Sequence, residues 1–205
     1  MIQQARTFLA QADGPFTMHY RVNAGPLPPN HWVNDPEQGG GRILSEMCHF
    51  VDLLSFICAL SPISVQAKGV PSLGGQDVTA TMEFANGSIG TITYVCSGDR
   101  AFSKERIEIF RGGAVAALDD FRRLDLIRHG KKKTFHSRLR QDKGHKSEWL
   151  AFADCITSGS PAPIAFEEIV ASTLATIRIA ESLRSGVEQQ IGAKQLSPLP
   201  VPLVS

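Results

Sequence analysis

The sequence predicts an α+β protein with one large, mostly antiparallel, open-faced β-sheet that is covered on one face by helices. Three observations indicate this class. Strand patterns cluster between residues 63 and 138, turn dipeptides join them as hairpins, and strands do not alternate with helices as a parallel sheet requires. The 205 residues, 42% of them hydrophobic, suffice for one such domain. We expect it over residues 1–190, followed by an extended, proline-rich tail at 191–205.

The first third of the chain predicts a helix, a strand, a loop and a second helix. The helix covers residues 2–12, and residues 16–23 alternate between apolar and polar side chains, as in a strand with one buried face. Residues 25–41 hold four prolines and predict a loop. Apolar residues then recur at helical spacing over residues 42–60, and they are Ile43, Leu44, Met47, Phe50, Val51 and Leu54.

The remainder predicts a meander of strands and two helices. Strands at 63–70, 77–85 and 88–97 are followed by hairpins around Gly112-Gly113 and Gly130, and the Asn86-Gly87 turn is a strong hairpin signal. Helices follow at 147–159 and 166–185. We expect the open face of the sheet to be apolar enough to form a homo-oligomer, because of the strand at 88–96 and of Ile107, Ile109, Val115 and Leu118.

Composition narrows the classes of partner. The net charge is only +1, although ten of the 21 lysines and arginines lie between Arg122 and Lys146. That segment suits either a nucleic-acid or phosphate patch or a solvated hairpin, and we favour the hairpin because few aromatic residues interleave. No nucleic acid and no membrane partner are expected. The four cysteines form no Cys-x-x-Cys pair, so we expect reduced thiols and a cytoplasmic protein.

The helix at 42–60 carries several reactive side chains. Ser45, His49 and Asp52 share one stripe, and Arg42 lies four residues before Glu46. A carboxylate beside an imidazole favours the charged imidazole, which is how a general acid or base is tuned. The same spacing also suits a structural His49–Asp52 pair and an Arg42–Glu46 surface ion pair. Neighbouring helix positions cannot converge on one ion, so no metal site is expected.

The chain contains no nucleotide-binding fingerprint. The glycine run at 39–41 follows a proline-rich loop and not a strand, and neither G-x-G-x-x-G after a strand nor G-x-x-x-x-G-K-[ST] occurs. We therefore expect no cofactor site on this chain alone.

The segment from Met18 to about Gly69 resembles the start of the C-terminal domain of Gfo/Idh/MocA-type oxidoreductases, such as glucose–fructose oxidoreductase and inositol dehydrogenases. GGGRILSEMCH carries the resemblance, since a histidine follows the glycine run by eight residues. YRVNAGPLP, HWVNDPE, HFVDLL, ANGSIGTI and KERIEIF with ALDDF fit a branch of that family, and DKGHKSEWLAF extends the similarity over most of the chain.

The resemblance implies a substrate bound between two domains. A Rossmann domain would bind NAD(P), and this domain would supply the histidine and form the oligomer through its open sheet. His49 is then the proton-transfer residue or a ligand of a substrate hydroxyl. Ser45 stands where the family has an acidic residue, and the neighbouring Glu46 leaves the helix about 100° away from that direction.

The resemblance also implies further substrate contacts. Arg21 and Asn23 are predicted to point outward from their strand, where they would line the cleft or simply be solvated. His145 precedes the helix predicted at 147, where it would reach the cleft or cap the helix. The full expected set of substrate-binding residues is Arg21, Asn23, Arg42, Ser45, Glu46 and His145.

Two hypotheses follow, and they leave open whether this chain is an enzyme by itself. In the first, the chain is the substrate-binding and oligomerising half of an oxidoreductase for a sugar or nucleotide-sugar. The NAD(P)-binding Rossmann domain would then precede Met1 or be a separate partner. In the second, the chain is a stand-alone, non-catalytic dimeric domain that binds a ligand or a partner.

Overall fold

A computed structural model describes residues 1–28, 30–35, 37–71, 76–137, 141 and 143–192. The described helices are α1 (Ile2–Leu9), α2 (Gly41–Cys58), α3 (His145–Ser158) and α4 (Phe166–Ser185), and a 3₁₀ turn covers Trp32–Asn34. The described strands are β1 (Thr17–Asn23), β2 (Pro62–Gly69), β3 (Val78–Phe84), β4 (Ile89–Val95), β5 (Glu105–Arg111), β6 (Ala114–Asp119), β7 (Arg123–Arg128), β8 (Lys131–His136) and β9 (Gln189–Gln190).

The nine described strands form one open sheet in the order β8-β7-β6-β5-β1-β4-β3-β2-β9. Every neighbouring pair is antiparallel except β1 and β4, which run parallel. The predicted α+β class with a mostly antiparallel open sheet is confirmed. The predicted hairpins are also present, because β3–β4, β5–β6 and β7–β8 are joined by the glycine-containing turns.

The core lies between the sheet and the layer of α2 and α4. β1 buries Met18, Tyr20 and Val22 as its alternation predicts. The Tyr20 ring contacts the Phe50 ring of α2 edge-on, with 5.1 Å between centroids. The helices therefore cover the face of the sheet to which Tyr20 points.

The prediction that Ile107, Ile109 and Leu118 make the open face of the sheet apolar was wrong. Ile107 and Ile109 lie opposite Tyr20 and Met18, and Leu118 lies opposite Ile107. Cross-strand neighbours share a face, so all three side chains belong to the helix-covered face, where they are buried. The open face is instead mixed in character, and its central positions include Thr79, Thr81, Thr91 and Thr93.

The basic hairpin of β7 and β8 is partly neutralised from within. Asp125 accepts a hydrogen bond from Thr134 at 2.7 Å and pairs with Arg123 at 2.8 Å and Lys132 at 3.1 Å. Burial opposes its ionisation, but these donors hold the pKa of Asp125 well below its usual range. These contacts agree with a solvated hairpin that carries its own counter-charge.

Element ends differ from the prediction in small ways. α3 begins at His145, two residues earlier than predicted, and the short strand β9 was not predicted. Leu44, predicted on the apolar stripe of α2, is exposed. Residues 193–205, most of the predicted tail, lie outside the described residues. None of the described helices is long and apolar enough to span a bilayer.

Candidate functional site

The loop before α2 is shaped by its three glycines. A Cβ atom at Gly39 would lie 2.4 Å from the Val33 Cα atom, so only glycine lets these two backbone segments touch. Gly40 and Gly41 adopt φ values of 65° and 85°, which favour glycine. The amide groups of Gly39 and Gly40 both donate to the Asp35 carbonyl. The glycine run therefore folds the loop onto itself and sets where α2 begins.

Arg42, which follows this loop in the first turn of α2, is buried. Its Nε donates to the Tyr94 hydroxyl and its Nη1 to the Gly25 carbonyl, each at 2.8 Å. Its Nη2 lies 3.5 Å from a Glu46 carboxylate oxygen. Burial, with Glu46 beside it, raises the pKa of Tyr94 well above its usual range. The predicted Arg42–Glu46 pair is present, but it is half-buried and reaches strand β4 and the loop after β1.

Ser45 and Glu46 have different environments within the same turn of α2. The Ser45 hydroxyl lies 2.6 Å from the Gly39 carbonyl and 2.9 Å from the Gly41 carbonyl, so its proton is used within the loop. The Glu46 side chain is 28% exposed. The Glu46 carboxylate therefore belongs to a partly exposed side chain, whereas the Ser45 hydroxyl proton is already used by the loop.

His49 is the exposed polar group of the same helix, one turn further on. Asp52 follows three residues later, half-buried between α2 and α4, and accepts a hydrogen bond from Ser172 at 3.3 Å. Burial raises the pKa of Asp52, and Glu168 adds to the rise, whereas Ser172 and His49 oppose it. The arrangement places an exposed imidazole beside an acid whose ionisation is held back by its surroundings.

Arg21 and Asn23 lie on the other side of the sheet. Because Tyr20 faces α2, its neighbour Arg21 faces away from that helix. Arg21 donates to the carbonyl and hydroxyl of Ser103, at 2.8 and 3.0 Å, and its guanidinium stacks on Phe102. Arg21 thus holds the loop at 97–104 and is not brought to His49.

Asn23 is buried, which corrects its predicted outward exposure. Its side-chain nitrogen donates to the Asp99 carbonyl at 2.6 Å, and the loop closes over it. A Cβ atom at Gly98 would lie 2.1 Å from the Asn23 side-chain oxygen, so the contact is tight. Asn23 points away from the helices, as the alternation predicts, but the loop that covers it is distant in sequence.

His145 occupies the first position of α3. Its side chain is 80% exposed and lies 4.0 Å from Glu148, one turn along the same helix. Lys143, two residues before His145, makes a closer ion pair than His145 does, because it donates to the buried carboxylate of Glu105. The Tyr20 hydroxyl donates to the same carboxylate, and burial with Glu105 nearby raises the pKa of Tyr20.

Sequence reasoning missed the long-range partners of the site. Tyr94 and Ser172 lie 52 and 120 residues from the side chains that they contact on α2. Their only sequence signal is a polar group at a core position of an otherwise apolar pattern. Glu105 gives the same signal at the start of β5, where it is 5% exposed.

The described residues contain no group of three or more His, Cys, Asp or Glu side chains that could hold a metal ion. All four cysteines are free. Burial raises the pKa of the Cys96 thiol to about 11. A thiol in this state is an inert core group.

Fold and site together define a class of α+β domain, in which an open sheet is covered by a core-packed helix that begins at a glycine-rich loop and carries polar residues on one side. A family model described as the GFO/IDH/MocA C-terminal domain matches residues 15–111. The match confirms, over just under half of the chain, the resemblance predicted from its motifs. No curated protein matches the sequence.

Solved structures share the fold at low identity. The aldose–aldose oxidoreductase of Caulobacter crescentus, in complex with glycerol, has a TM-score of 0.76 and 14% identity, with coverage of 93% of this chain and 59% of that one. The UDP-N-acetylglucosamine 3-dehydrogenase of Acidithiobacillus ferrooxidans has a TM-score of 0.71 and 19% identity, with coverage of 89% and 57%.

A third similar structure was determined with a nicotinamide cofactor. An oxidoreductase of Agrobacterium radiobacter in complex with NAD⁺, L-tartaric acid and magnesium has a TM-score of 0.72 and 18% identity, with coverage of 94% of this chain and 62% of that one. At these identities the likeness shows the fold alone. The chain spans less than two thirds of the length of each of these three relatives.

Proposed function

We propose that this chain is the substrate-binding and oligomerising domain of an NAD(P)-dependent oxidoreductase that acts on a sugar or nucleotide-sugar. The observation that carries the proposal is the exposed His49 on α2, beside Asp52, within the segment 15–111 that matches the family model. Two similar structures are named for an aldose and for a UDP-sugar, which supports the substrate class.

The chain's own residues would handle binding and the proton. When a sugar alcohol is oxidised, its hydroxyl loses a proton, and the exposed imidazole of His49 would accept it. Asp52 would favour the charged imidazole that results. Glu46 is available to a sugar hydroxyl through its exposed part, whereas Arg42 and Ser45 would position the helix and loop from beneath.

The remaining predicted substrate contacts divide into two groups. His145 stays a proposed contact, because its ring is exposed at the start of α3. Arg21 and Asn23 would reach a substrate only if the loop at 97–104 left the sheet, so we assign them to holding that loop. We propose homo-oligomer formation through the open sheet face, which none of the described helices covers.

A bound nicotinamide would be the hydride acceptor of the reaction. This sequence contains no dinucleotide-binding fingerprint that would hold such a cofactor. We therefore propose that a Rossmann domain, in the same polypeptide or as a separate one, completes the enzyme. The experiment combines this chain with that Rossmann domain and adds NAD⁺ or NADP⁺ and a panel of aldoses, inositols and UDP-sugars. We expect at least one sugar to be oxidised, with formation of reduced nicotinamide.

Two results would contradict this proposal. Tight binding of NADH by this chain alone, seen by nicotinamide fluorescence, would show that it holds its own cofactor. No turnover with any sugar by a completed protein that binds the cofactor would favour the stand-alone, non-catalytic binding domain.

A further inference from the structure

Two buried tyrosines contact the same aromatic ring of α2, that of Phe50. The Phe50 centroid lies 5.1 Å from that of Tyr20 and 5.9 Å from that of Tyr94. Each tyrosine is at most 3% exposed, so its hydroxyl must find its hydrogen-bond partners inside the protein. Tyr20 donates to the Glu105 carboxylate of β5. Tyr94 instead reaches the first turn of α2, where the proposed substrate site begins.

The hydroxyl of Tyr94 has one proton to donate. Arg42 Nε donates to this hydroxyl at 2.8 Å, and a guanidinium can only donate, so the phenolic proton is left for an acceptor. Glu46 is that acceptor, because burial raises the pKa of Tyr94 and the charge and hydrogen bonding of the Glu46 side chain raise it further. The same carboxylate lies 3.5 Å from Arg42 Nη2. Glu46 is therefore held by two donors.

Both donors are fixed on the protein side of Glu46. Arg42 is 6% exposed, and its Nη1 donates to the Gly25 carbonyl at 2.8 Å. An exposed ion pair on a helix leaves a glutamate free to change rotamer, whereas buried donors with partners of their own fix its orientation. A carboxylate has about four lone-pair sites, so two donors leave it able to accept from a ligand. A side chain that is oriented before the ligand arrives loses less entropy on binding.

We propose that Tyr94 is a positioning residue, which holds the Glu46 carboxylate in the orientation that accepts a hydrogen bond from a sugar hydroxyl. Tyr94 acts through Glu46 and does not touch the substrate, because its side chain is fully buried. The inference rests on the proposed function, in which Glu46 contacts a sugar hydroxyl. It divides the work of α2, since Glu46 then governs the affinity for the sugar and His49 the transfer of the proton.

Tyr94→Phe in the completed protein, this chain together with the Rossmann domain, tests this role. The variant keeps the ring on Phe50 and removes only the hydroxyl. We expect KM for the sugar that the wild type oxidises to rise about fivefold, the effect of one lost hydrogen bond, while kcat stays within about twofold. The reason is that the lost contact holds a group that binds the substrate and not the group that takes its proton. Glu46→Ala is expected to raise KM at least as much.

The double variant Tyr94→Phe/Glu46→Ala separates positioning from packing. If Tyr94 acts through Glu46, its hydroxyl has no further effect on KM once Glu46 is gone, so the double variant is expected to have the KM of Glu46→Ala. Tyr20→Phe is the matched control, because it removes the hydroxyl of the other buried tyrosine that contacts Phe50, which donates to a different carboxylate. We expect Tyr20→Phe to lower the melting temperature and to keep the KM of the wild type.

Three results would overturn the positioning role of Tyr94. They are an unchanged KM in Tyr94→Phe, an equal rise of KM in Tyr20→Phe, and effects of Tyr94→Phe and Glu46→Ala that multiply in the double variant. Thermal unfolding of every variant accompanies the kinetics. Glu46 is partly exposed, so Glu46→Ala is expected to fold whether or not Tyr94→Phe does, and an unchanged KM in Glu46→Ala would overturn the proposal by itself.

The positioning role and the proposed function fail in different ways. Failure of the proposed function appears in the wild type, as a completed protein that binds its cofactor and oxidises none of the sugars, and it removes the positioning role as well. Failure of the positioning role alone appears as turnover by the wild type together with any of the overturning results for KM.

Discussion

Replacement of Arg42 by methionine tests whether this residue is a structural anchor. The substitution keeps a long side chain but removes the donors to Tyr94 and Gly25 and leaves Glu46 without its cation. Each hydrogen bond from a charged donor contributes about 1.5–3 kcal/mol, and breaking a buried pair from one side costs about 3–5 kcal/mol. Because Glu46 is partly exposed, that loss is discounted, and we expect about 3 kcal/mol.

Urea unfolding followed by circular dichroism measures this loss. With a denaturant slope of about 2–3 kcal/mol/M, the midpoint of Arg42→Met is expected to fall by roughly 1–1.5 M. His49→Ala is the control, because an exposed substitution on the same helix stays within about 0.5 kcal/mol of the wild type. A loss below about 1 kcal/mol for Arg42→Met would refute the reasoning and return Arg42 to the list of substrate contacts.

Three further predictions concern charge and the glycine loop. Because the pKa of Asp125 is lowered, the stability that it contributes is present above the ordinary carboxyl pKa and is lost as pH falls. Asp125→Asn is therefore expected to be less stable than the wild type at neutral pH and to lose less stability on acidification, as measured by urea unfolding at several pH values. An unchanged loss of stability at acidic pH would contradict this. The pKa of Asp52 is raised, so the folded protein loses stability as pH rises and this carboxyl group ionises. Asp52→Asn is therefore expected to be more stable than the wild type at neutral pH. A lower stability of Asp52→Asn in the same unfolding experiments would contradict the burial of the carboxylate. Gly39→Ala is expected to lower the free energy of unfolding by at least about 3 kcal/mol, because its Cβ would lie 2.4 Å from a backbone atom. Gly41→Ala is expected to lower it by about 1–2 kcal/mol, because no atom lies within 4 Å of its Cβ but φ is 85°. Equal losses for the two variants in thermal unfolding would disprove the close approach at Gly39.

The sequence predicted the elements whose signals are local. The alternation of β1, the helical spacing of α2 and the Asn86-Gly87 turn each depend on neighbouring residues, and each was confirmed. The insertion of β1 between β4 and β5 could not be predicted in this way. It depends on pairing between residues more than 70 positions apart, and alternation within one strand carries no information about its neighbours.

The candidate site was predicted less completely, because burial is set by distant segments. Arg42 has the spacing of a surface ion pair, and only the approach of Tyr94 and Gly25 makes it a buried anchor. Asn23 alternates outward correctly, but the loop at 97–104 covers it. The apolar residues of α3 are spaced as in a helix that packs on its own domain, but the structure leaves them exposed. Spacing alone does not show what a helix packs against.

Steady-state turnover of the completed two-domain protein, with His49→Ala beside the wild type, tests the central claim most directly. The account predicts that kcat for sugar oxidation falls by about 10²–10⁴, the usual contribution of a positioned general base, while the melting temperature stays unchanged because His49 is exposed. An unchanged kcat in a His49→Ala protein that is folded and fully assembled would contradict the claim that His49 takes the substrate's proton.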